Sequence, residues 1–530
     1  MNDLRAAALI QHGIRFVGAI FLFAGLAQAE PPRLTVLIIA EQFRSDAIDR
    51  YADEYSENGL GRLLADGARF RRCRFDMLTT LAAPAAATLA TGAWPSRHGI
   101  VGDSWYDPYT WLVADAAGDP QRFSPNRLSG STLADELALA SRGRSRTVAV
   151  SDTPAPAVLT AGRRPAGCYW RDAFGAFTTS LYYGPAAPDW VGDFSFNRRP
   201  RRAGPLSWKA LDAAPGSPAL RLLDGDSFLR LYLASPFAVE ETLAFAREAV
   251  EREKLGSRDH PDMLIVNLSA PALLGLETGA DSPLMRDLTL RLDRSLGELL
   301  DWIDERVGLA NTLVVFTGAH GIPAQRGEPL PPGPRSAERV DGESAALAMS
   351  AALEQRFGPE VYVERYLYPF VYLSPAAGKM GLDERREAIR TAGEAALTVP
   401  GVRAYWSPEI ASASEADSRA FSRSRYSGRS GDLMLAYEPD FVEAYGDGRG
   451  VSSGSFYRYD TDVPLVIAGP RIRSGLFEST VEATSLAPTL AALLEVAVPS
   501  SAEGEPLTQI LLPPTATTAP EVGPPTPPLE

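Results

Sequence analysis

Cysteine and histidine are both scarce in this chain, with two and four in 530 residues. Two separated thiols, Cys73 and Cys168, cannot by themselves build a cysteine-based zinc site. An oxidising compartment would allow them to pair, but their spacing says nothing about whether their Cα atoms come within disulfide reach. A basic surplus is also missing. The net charge of −14 and the pI near 5.0 argue against nucleic acid, whose phosphates demand Lys and Arg. Long apolar runs are absent beyond the first thirty residues, so no other stretch approaches membrane-spanning length. No internal repeat is visible.

One apolar run remains, Phe16 to Leu26, preceded by Arg5 and Arg15 and ending in Ala27-Gln28-Ala29. A positive n-region, a short apolar h-region and a small-x-small ending describe a cleavable secretory signal over residues 1–29. The run is too short to cross about 30 Å of hydrocarbon comfortably, and no Cys follows it to carry a lipid. The mature chain is therefore expected to be exported, periplasmic or secreted, without a transmembrane segment.

Hydrophobic content of 45% and charged content of 22% are those of a globular protein with a packed core. The length points to one large domain with insertions, or to two domains. Leu34 to Ala40 is a continuous apolar run, as are Met263 to Leu268, Thr312 to Thr317 and Val463 to Ala468. Such runs predict buried strands of a parallel sheet. Helices are predicted between them: one reaching about Ala65, and one opening at Pro84 and ending at Gly92. A long amphipathic helix carries Leu288, Leu292, Leu296, Leu299 and Ile303 on one face, and another helix spans Ser485 to Leu494. The expected fold class is α/β, a mainly parallel sheet with helices on both faces, over residues 34–510. Residues 105–260 and 322–455 break the rhythm and are expected to be cap insertions. The Pro- and Thr-rich stretch 513–530 reads as a disordered tail.

Several segments resemble the alkaline phosphatase superfamily, in particular its branch of phosphate-irrepressible phosphatases and type I phosphodiesterase/nucleotide pyrophosphatases. They are Ile38-Ile39-Ala40-Glu41-Gln42-Phe43-Arg44, Thr91-Gly92 through His98-Gly99-Ile100-Val101-Gly102, and Trp105-Tyr106-Asp107. They continue with Arg291-Leu292-Asp293-Arg294, Thr317-Gly318-Ala319-His320-Gly321, Tyr459 through Leu465, and Ala487-Pro488-Thr489-Leu490-Ala491. They stand in the family's order. The resemblance implies the fold above and a site with two zinc ions and a Thr or Ser nucleophile, in which paired cations clamp the attacking and leaving oxygens of phosphoryl transfer.

Position by position, the donors that such a site needs are replaced. The ligand after the first strand is Glu41 where the family has Asp. The nucleophile position, two residues before Pro84, is Ala82, which has no oxygen to attack phosphorus. The family's Asp-x-x-x-His falls on Ala272 and Leu276. Its Asp-His-Gly reads Ala319-His320-Gly321, and its last His is Asp462. The phosphate-contacting Asn is Asp103, whose carboxylate would repel an anion. A Lys-x-Arg phosphate clamp falls on Thr153 and Ala155, with Arg163 or Arg164 near enough in sequence to compensate. Histidine arithmetic agrees. His12 leaves with the signal and His98 belongs to a structural segment, so only His260 and His320 remain.

No catalytic residue and no cofactor is therefore expected, with zinc only if the site is rewired; Glu41, His320 and Asp462 are the candidates for a single metal ion. Thr80 and Thr88 flank the lost nucleophile but are read as local backbone hydrogen bonders, and Asp293-Arg294 as a packing or solvated pair. The basic run Arg198-Arg199-Pro200-Arg201-Arg202 is read as an exposed loop. The leading expectation is a catalytically inactive pseudophosphatase that binds or scaffolds an unknown protein or small-molecule ligand, without nucleic acid. The alternatives are a metal-dependent phosphomonoesterase or phosphodiesterase with a rewired site, and a structural component with no ligand in the cleft.

Overall fold

Leu34–Ala40 is buried at all seven positions. Successive strand side chains point to opposite faces, so a strand with no exposed residue must be covered on both. Val36, Ile38 and Ala40 enter one core while Leu37 and Ile39 enter the other. This is a computed structural model of the chain, and it describes residues 30–197, 205–323, 338–410, 415–439, 441–443 and 454–512. The expected signal, the 513–530 tail and the basic run at 198–202 lie outside the described residues. Pro31–Leu512 forms one compact unit.

Leu34–Ala40 lies near the middle of a ten-stranded sheet. It pairs in parallel with Asp262–Leu268 on one side and Thr312–Gly318 on the other. Beyond the first lie Thr147–Ser151 and Gly167–Arg171, both parallel. Beyond the second lie Asp462–Ala468, antiparallel, and then Ala68–Arg74. Helices Pro236–Glu253 and Pro283–Arg306 cover one face, and Ala82–Thr91, Pro154–Ala161 and Leu486–Leu494 cover the other. All five residues of the predicted stripe on the long helix are buried, and its first turn is closed by the Ser282 side chain accepting from the Met285 N–H. The sheet is thus the expected α/β architecture.

The structure departs from the sequence-based expectation in two places. Residues 105–260 are not an insertion throughout, because three strands of the main sheet, Thr147–Ser151, Gly167–Arg171 and Phe177–Thr178, come from them, as do helices Pro154–Ala161 and Pro236–Glu253 that cover it. The five-residue runs Thr147–Ser151 and Gly167–Arg171 are wholly buried but sit among Gly-, Pro- and Arg-rich flanks that hide them. Only parts of the stretch stand off the sheet, such as the hairpin of Ser104–Asp107 and Leu112–Asp115. The helix expected from Pro84 starts at Ala82, with Leu81 as its N-cap residue, since proline in the first turn sacrifices no intrahelical hydrogen bond. Its end is as expected: Gly92 takes φ 67°, and a Cβ there would lie 2.8 Å from Pro488 Cδ. On a question that the sequence leaves open, Cys73 and Cys168 are buried free thiols. Five strands separate theirs in the sheet order, roughly 30 Å at the usual strand spacing, so they cannot pair. Burial pushes the Cys73 thiol up to about 12.

Residues 322–455 contribute a second sheet, ordered Val363–Leu367, Phe370–Leu373, Leu433–Tyr437, Val402–Trp406, with helices Gly342–Phe357 and Leu382–Ala396 packed on it. Its other face meets Ala83, Ala86 and Ala87 of the Ala82–Thr91 helix. No helix among the described residues is long and apolar enough to cross a membrane.

Candidate functional site

In-register parallel pairing fixes where the candidate residues meet. Ala40 stands level with Leu268 and Gly318, so Glu41, Ser269 and Ala319 leave the sheet side by side at its carboxyl edge. The Glu41 N–H donates to the Leu268 carbonyl at 3.0 Å and the Ala319 N–H to the Ala40 carbonyl at 3.3 Å. Leu465 pairs with Thr317 on the antiparallel neighbour, which returns Asp462, three residues earlier, to the level of His320. The Gly321 N–H donates to the Asp460 carbonyl at 2.8 Å and locks these two loops together. A Cβ on Gly321 would lie 1.9 Å from the Tyr459 carbonyl oxygen, so only glycine allows that approach. This edge is where ligands of open α/β sheets bind.

The polar groups at the edge are already engaged with one another. Glu41 is 6% exposed and accepts from the Ser269 hydroxyl at 2.8 Å. Burial pushes its carboxyl up to about 8; the Ser269 bond opposes this, and Asp103 and Asp152 add to it. Asp462 gives one oxygen to Arg74 Nε at 2.7 Å and the other to Arg74 Nη2 at 2.9 Å. His320 Nδ1 lies 3.1 Å from the Gly321 carbonyl oxygen, which can only accept, so Nδ1 carries the proton. Burial holds the imidazole pKa down to about 4. Asp103 accepts the Ala83 N–H at 2.8 Å, filling the anion-favouring N-terminus of the Ala82–Thr91 helix with the chain's own carboxylate. Burial raises that carboxyl above its usual range as well.

Ala82 opens the same helix, Ala272 lies in the first turn of helix Ala270–Thr278, and Leu276 follows one turn on. With Ala319 they offer hydrocarbon at positions where the family resemblance implies the oxygen and nitrogen donors of a two-zinc centre. Asp462 is spent on a guanidinium, and His260 precedes Asp262–Leu268 at the opposite edge of the sheet. The residues present do not fit a dinuclear zinc centre. Among the described residues no three of His, Cys, Asp and Glu are arranged to hold a metal ion; Glu41, His320 and Asp462 share the edge, with Glu41 bonded to Ser269 and Asp462 to Arg74.

The flanking candidates also find other work. Thr153 is the N-cap residue of Pro154–Ala161 and Ala155 lies within that helix. Arg163, beyond its far end, donates to Asp135 at 3.0 Å and to the carbonyls of Gly130 and Leu128, while Arg164 is exposed; neither replaces the clamp. Thr80 does not make the local bond expected of it but donates to the Ser455 carbonyl at 2.6 Å. Thr88 lies 3.1 Å from His98 Nε2. Both find partners that folding brings to them.

Arg74, Asp152 and Ser269 belong to the site and escape a reading of the sequence alone. Asp152 takes the Ser269 N–H at 3.1 Å and is anchored by the fully buried Arg171 at 3.0 Å. A carboxylate directly after the apolar run Thr147–Ser151 is the signal that could have found it. Arg74 carries none, because its partner Asp462 is 388 residues away.

A sequence model of the type I phosphodiesterase / nucleotide pyrophosphatase family matches residues 35–456. The chain is 28% identical to alkaline phosphatase PafA of Elizabethkingia meningoseptica, over 91% of this chain and 94% of that protein. It is 26% identical to alkaline phosphatase PhoV of Synechococcus elongatus, over 91% and 93% respectively. The crystal structure of wild-type PafA superposes with a TM-score of 0.80 at 27% identity, over 91% of this chain and 99% of that one. Murine ectonucleotide pyrophosphatase / phosphodiesterase 5 shares the fold at a TM-score of 0.53 and 15% identity, with 91% of this chain covered.

Proposed function

Because the chain belongs to the type I phosphodiesterase / nucleotide pyrophosphatase family of the alkaline phosphatase superfamily, we propose that it is an exported member of that family that has lost two-metal phosphoester hydrolysis and serves by binding or scaffolding. One observation carries this reading: both oxygens of Asp462, at a position where the family places a zinc ligand, are bonded to Arg74. A guanidinium there supplies positive charge but no open coordination site, so it polarises no bound oxygen. Ala82 adds the loss of the nucleophile, and Asp103 puts a carboxylate where a phosphate oxygen would approach. The signal-like residues 1–29 support export.

The alternative is a phosphoesterase with a rewired site, favoured by the activity named for PafA and PhoV. Elemental analysis separates the two. After zinc loading and desalting, the purified mature chain is expected to retain less than one zinc ion and to leave p-nitrophenyl phosphate intact. Retention of about two ions with turnover overturns the proposal. Ala82→Thr alone is expected to restore no phosphatase activity, since the new hydroxyl has no metal to lower its pKa; robust turnover by that single variant contradicts the same reading.

A further inference from the structure

The hairpin of Ser104–Asp107 and Leu112–Asp115 is anchored at its base and bare at its tip. Trp105, Tyr106 and Ala114 are buried in the cluster shared with the second sheet, and Tyr106 meets Tyr372 edge to face with ring centroids 5.4 Å apart. Past them, Tyr109 is 84% exposed, Trp111 56%, Leu112 67% and Val113 50%. Nowhere else among the described residues do more than two exposed large hydrophobic side chains fall within five consecutive positions. Single exposed apolar residues are ordinary, but a cluster of this kind marks a surface that is covered in use.

The turn holds these side chains in place. The Trp111 N–H donates to the Asp107 carbonyl at 2.9 Å, and the Tyr109 N–H to the Asp107 carboxylate at 2.9 Å. Trp111 takes φ 62°, a conformation that Gly or Asn adopts with less strain. The needs of the turn therefore do not account for a tryptophan there.

Two features say what covers the tip. Paired residues of an antiparallel ribbon share a face, and Leu112 pairs with Asp107 while Val113 pairs with Tyr106. Successive strand residues point to opposite faces, so apolar side chains stand on both faces of the ribbon as well as on its turn. A rigid protein surface would cover one face and leave the other wet, whereas a bilayer interface closes around both. The second feature is charge. Residues 108–113 carry none, and the collar directly behind them is acidic, formed by Asp107 and Asp115. Arg127, Arg429 and Arg365 stand over the rings of Trp105 and Tyr106 at the base. An anionic membrane would repel the acidic collar, and the ammonium groups of zwitterionic lipids complement it. Tyr and Trp, with an apolar ring and a polar handle, are the side chains that settle at such an interface.

We infer that this hairpin tip docks the protein on a zwitterionic lipid surface, with Trp111, Leu112 and Val113 in the interface and Tyr109 among the headgroups. The inference concerns where the chain is held and stands or falls apart from the loss of phosphoester hydrolysis, since no chemistry at the strand edge enters it.

Sedimentation of the mature chain with phosphatidylcholine vesicles tests it. Half of the chain is expected to sediment at about 1 mM lipid or below, with less than about a twofold change as salt rises from about 0.05 to 0.5 M. Replacing about a third of the lipid by phosphatidylglycerol is expected to weaken binding about threefold. Trp111→Ala is expected to weaken it about tenfold and Leu112→Ser a few fold, both at unchanged circular dichroism because both positions are exposed. The fluorescence difference between the natural chain and Trp111→Phe is expected to shift to the blue on vesicles, as the indole leaves water. Absence of sedimentation at about 10 mM lipid, equal binding by Trp111→Ala, or binding confined to anionic vesicles overturns the inference. So does a dimer, in analytical ultracentrifugation without lipid, that Trp111→Ala dissociates, because a second copy would then cover the tip.

Discussion

Glu41 differs by one methylene from the aspartate that the family resemblance implies, and its surroundings turn that change into a different kind of group. With its carboxyl pushed up to about 8 by burial, opposed by Ser269 and helped by Asp103 and Asp152, it favours the neutral acid at pH 7. The consequence for stability has a definite sign. The folded chain holds this proton up to about pH 8 and the unfolded chain releases it near 4.5, so stability falls as pH rises between the two. Asp460, raised to about 7 by burial, acts in the same direction. His320, lowered to about 4, acts in the opposite one, its contribution growing as pH climbs from about 4 to 6.5. Comparing Glu41→Gln with the natural chain removes the shared contributions. The variant's relative stability is expected to be near zero at pH 4 and to rise to a few kcal/mol in its favour by pH 8, at about 1.4 kcal/mol for each pH unit crossed. Urea unfolding at pH 4.5, 6.5 and 8 measures this; a pH-independent difference refutes the assignment of the proton to Glu41. At this scale the substitutions themselves were readable one letter at a time. The engagement of Asp462 by Arg74 was not, because no local pattern links positions on two strands so far apart in the chain.

Two short helices illustrate how the elements are held. Helix Leu60–Asp66 has Gly59 at its N-cap and so no side chain of its own to close the first turn. Asp293, buried on the long helix, supplies the closure, accepting the Leu60 N–H at 2.6 Å through one oxygen and the Ser56 N–H at 2.6 Å through the other. Helix Ala82–Thr91 is capped from outside in the same way by Asp103. Asp293→Ala is expected to cost about 2–3 kcal/mol, because a buried and a half-buried donor lose their partner at once. Asp293→Asn, which keeps one acceptor oxygen, is expected to cost about half of that. Chemical denaturation of both variants checks the order, and equal losses would mean that the second bond contributes nothing. The existence and faces of the longer elements were legible from periodicity: Leu288 to Ile303 marks one side of the long helix, and the unbroken run Leu34 to Ala40 marks a strand covered on both faces. The role of Asp293 was not legible, since its place beside Arg294 on an amphipathic helix fits a packing or solvated pair equally well before the chain is folded.

In the whole molecule, the second sheet does not hang free. Phe370, Tyr372, Trp406 and Met434 from that sheet share a buried cluster with Ala83, Ala86 and Ala87 of the helix that opens at the lost nucleophile position. A shared apolar core couples the two layers, so scanning calorimetry of the mature chain is expected to show one transition rather than two. Phe370→Ala, truncating a fully buried ring, is expected to lower the midpoint of that single transition at a cost of about 3–5 kcal/mol. A variant that melts in two steps would show that the layers fold independently. What the sequence alone determined is the fold class, the central strands, the order of the family's segments and the loss of hydroxyl, carboxylate and imidazole at Ala82, Ala272, Leu276 and Ala319. The first two follow from composition and period, and the last two from the resemblance to the family taken residue by residue; all are properties of single positions and their near neighbours. What only the tertiary structure decided is how the remaining polar groups are used: the Arg74–Asp462 pair, the Glu41 carboxyl under Ser269 and the Asp103 cap. Each depends on which distant segments share the sheet's carboxyl edge, and on how deeply burial raises the cost of charge there.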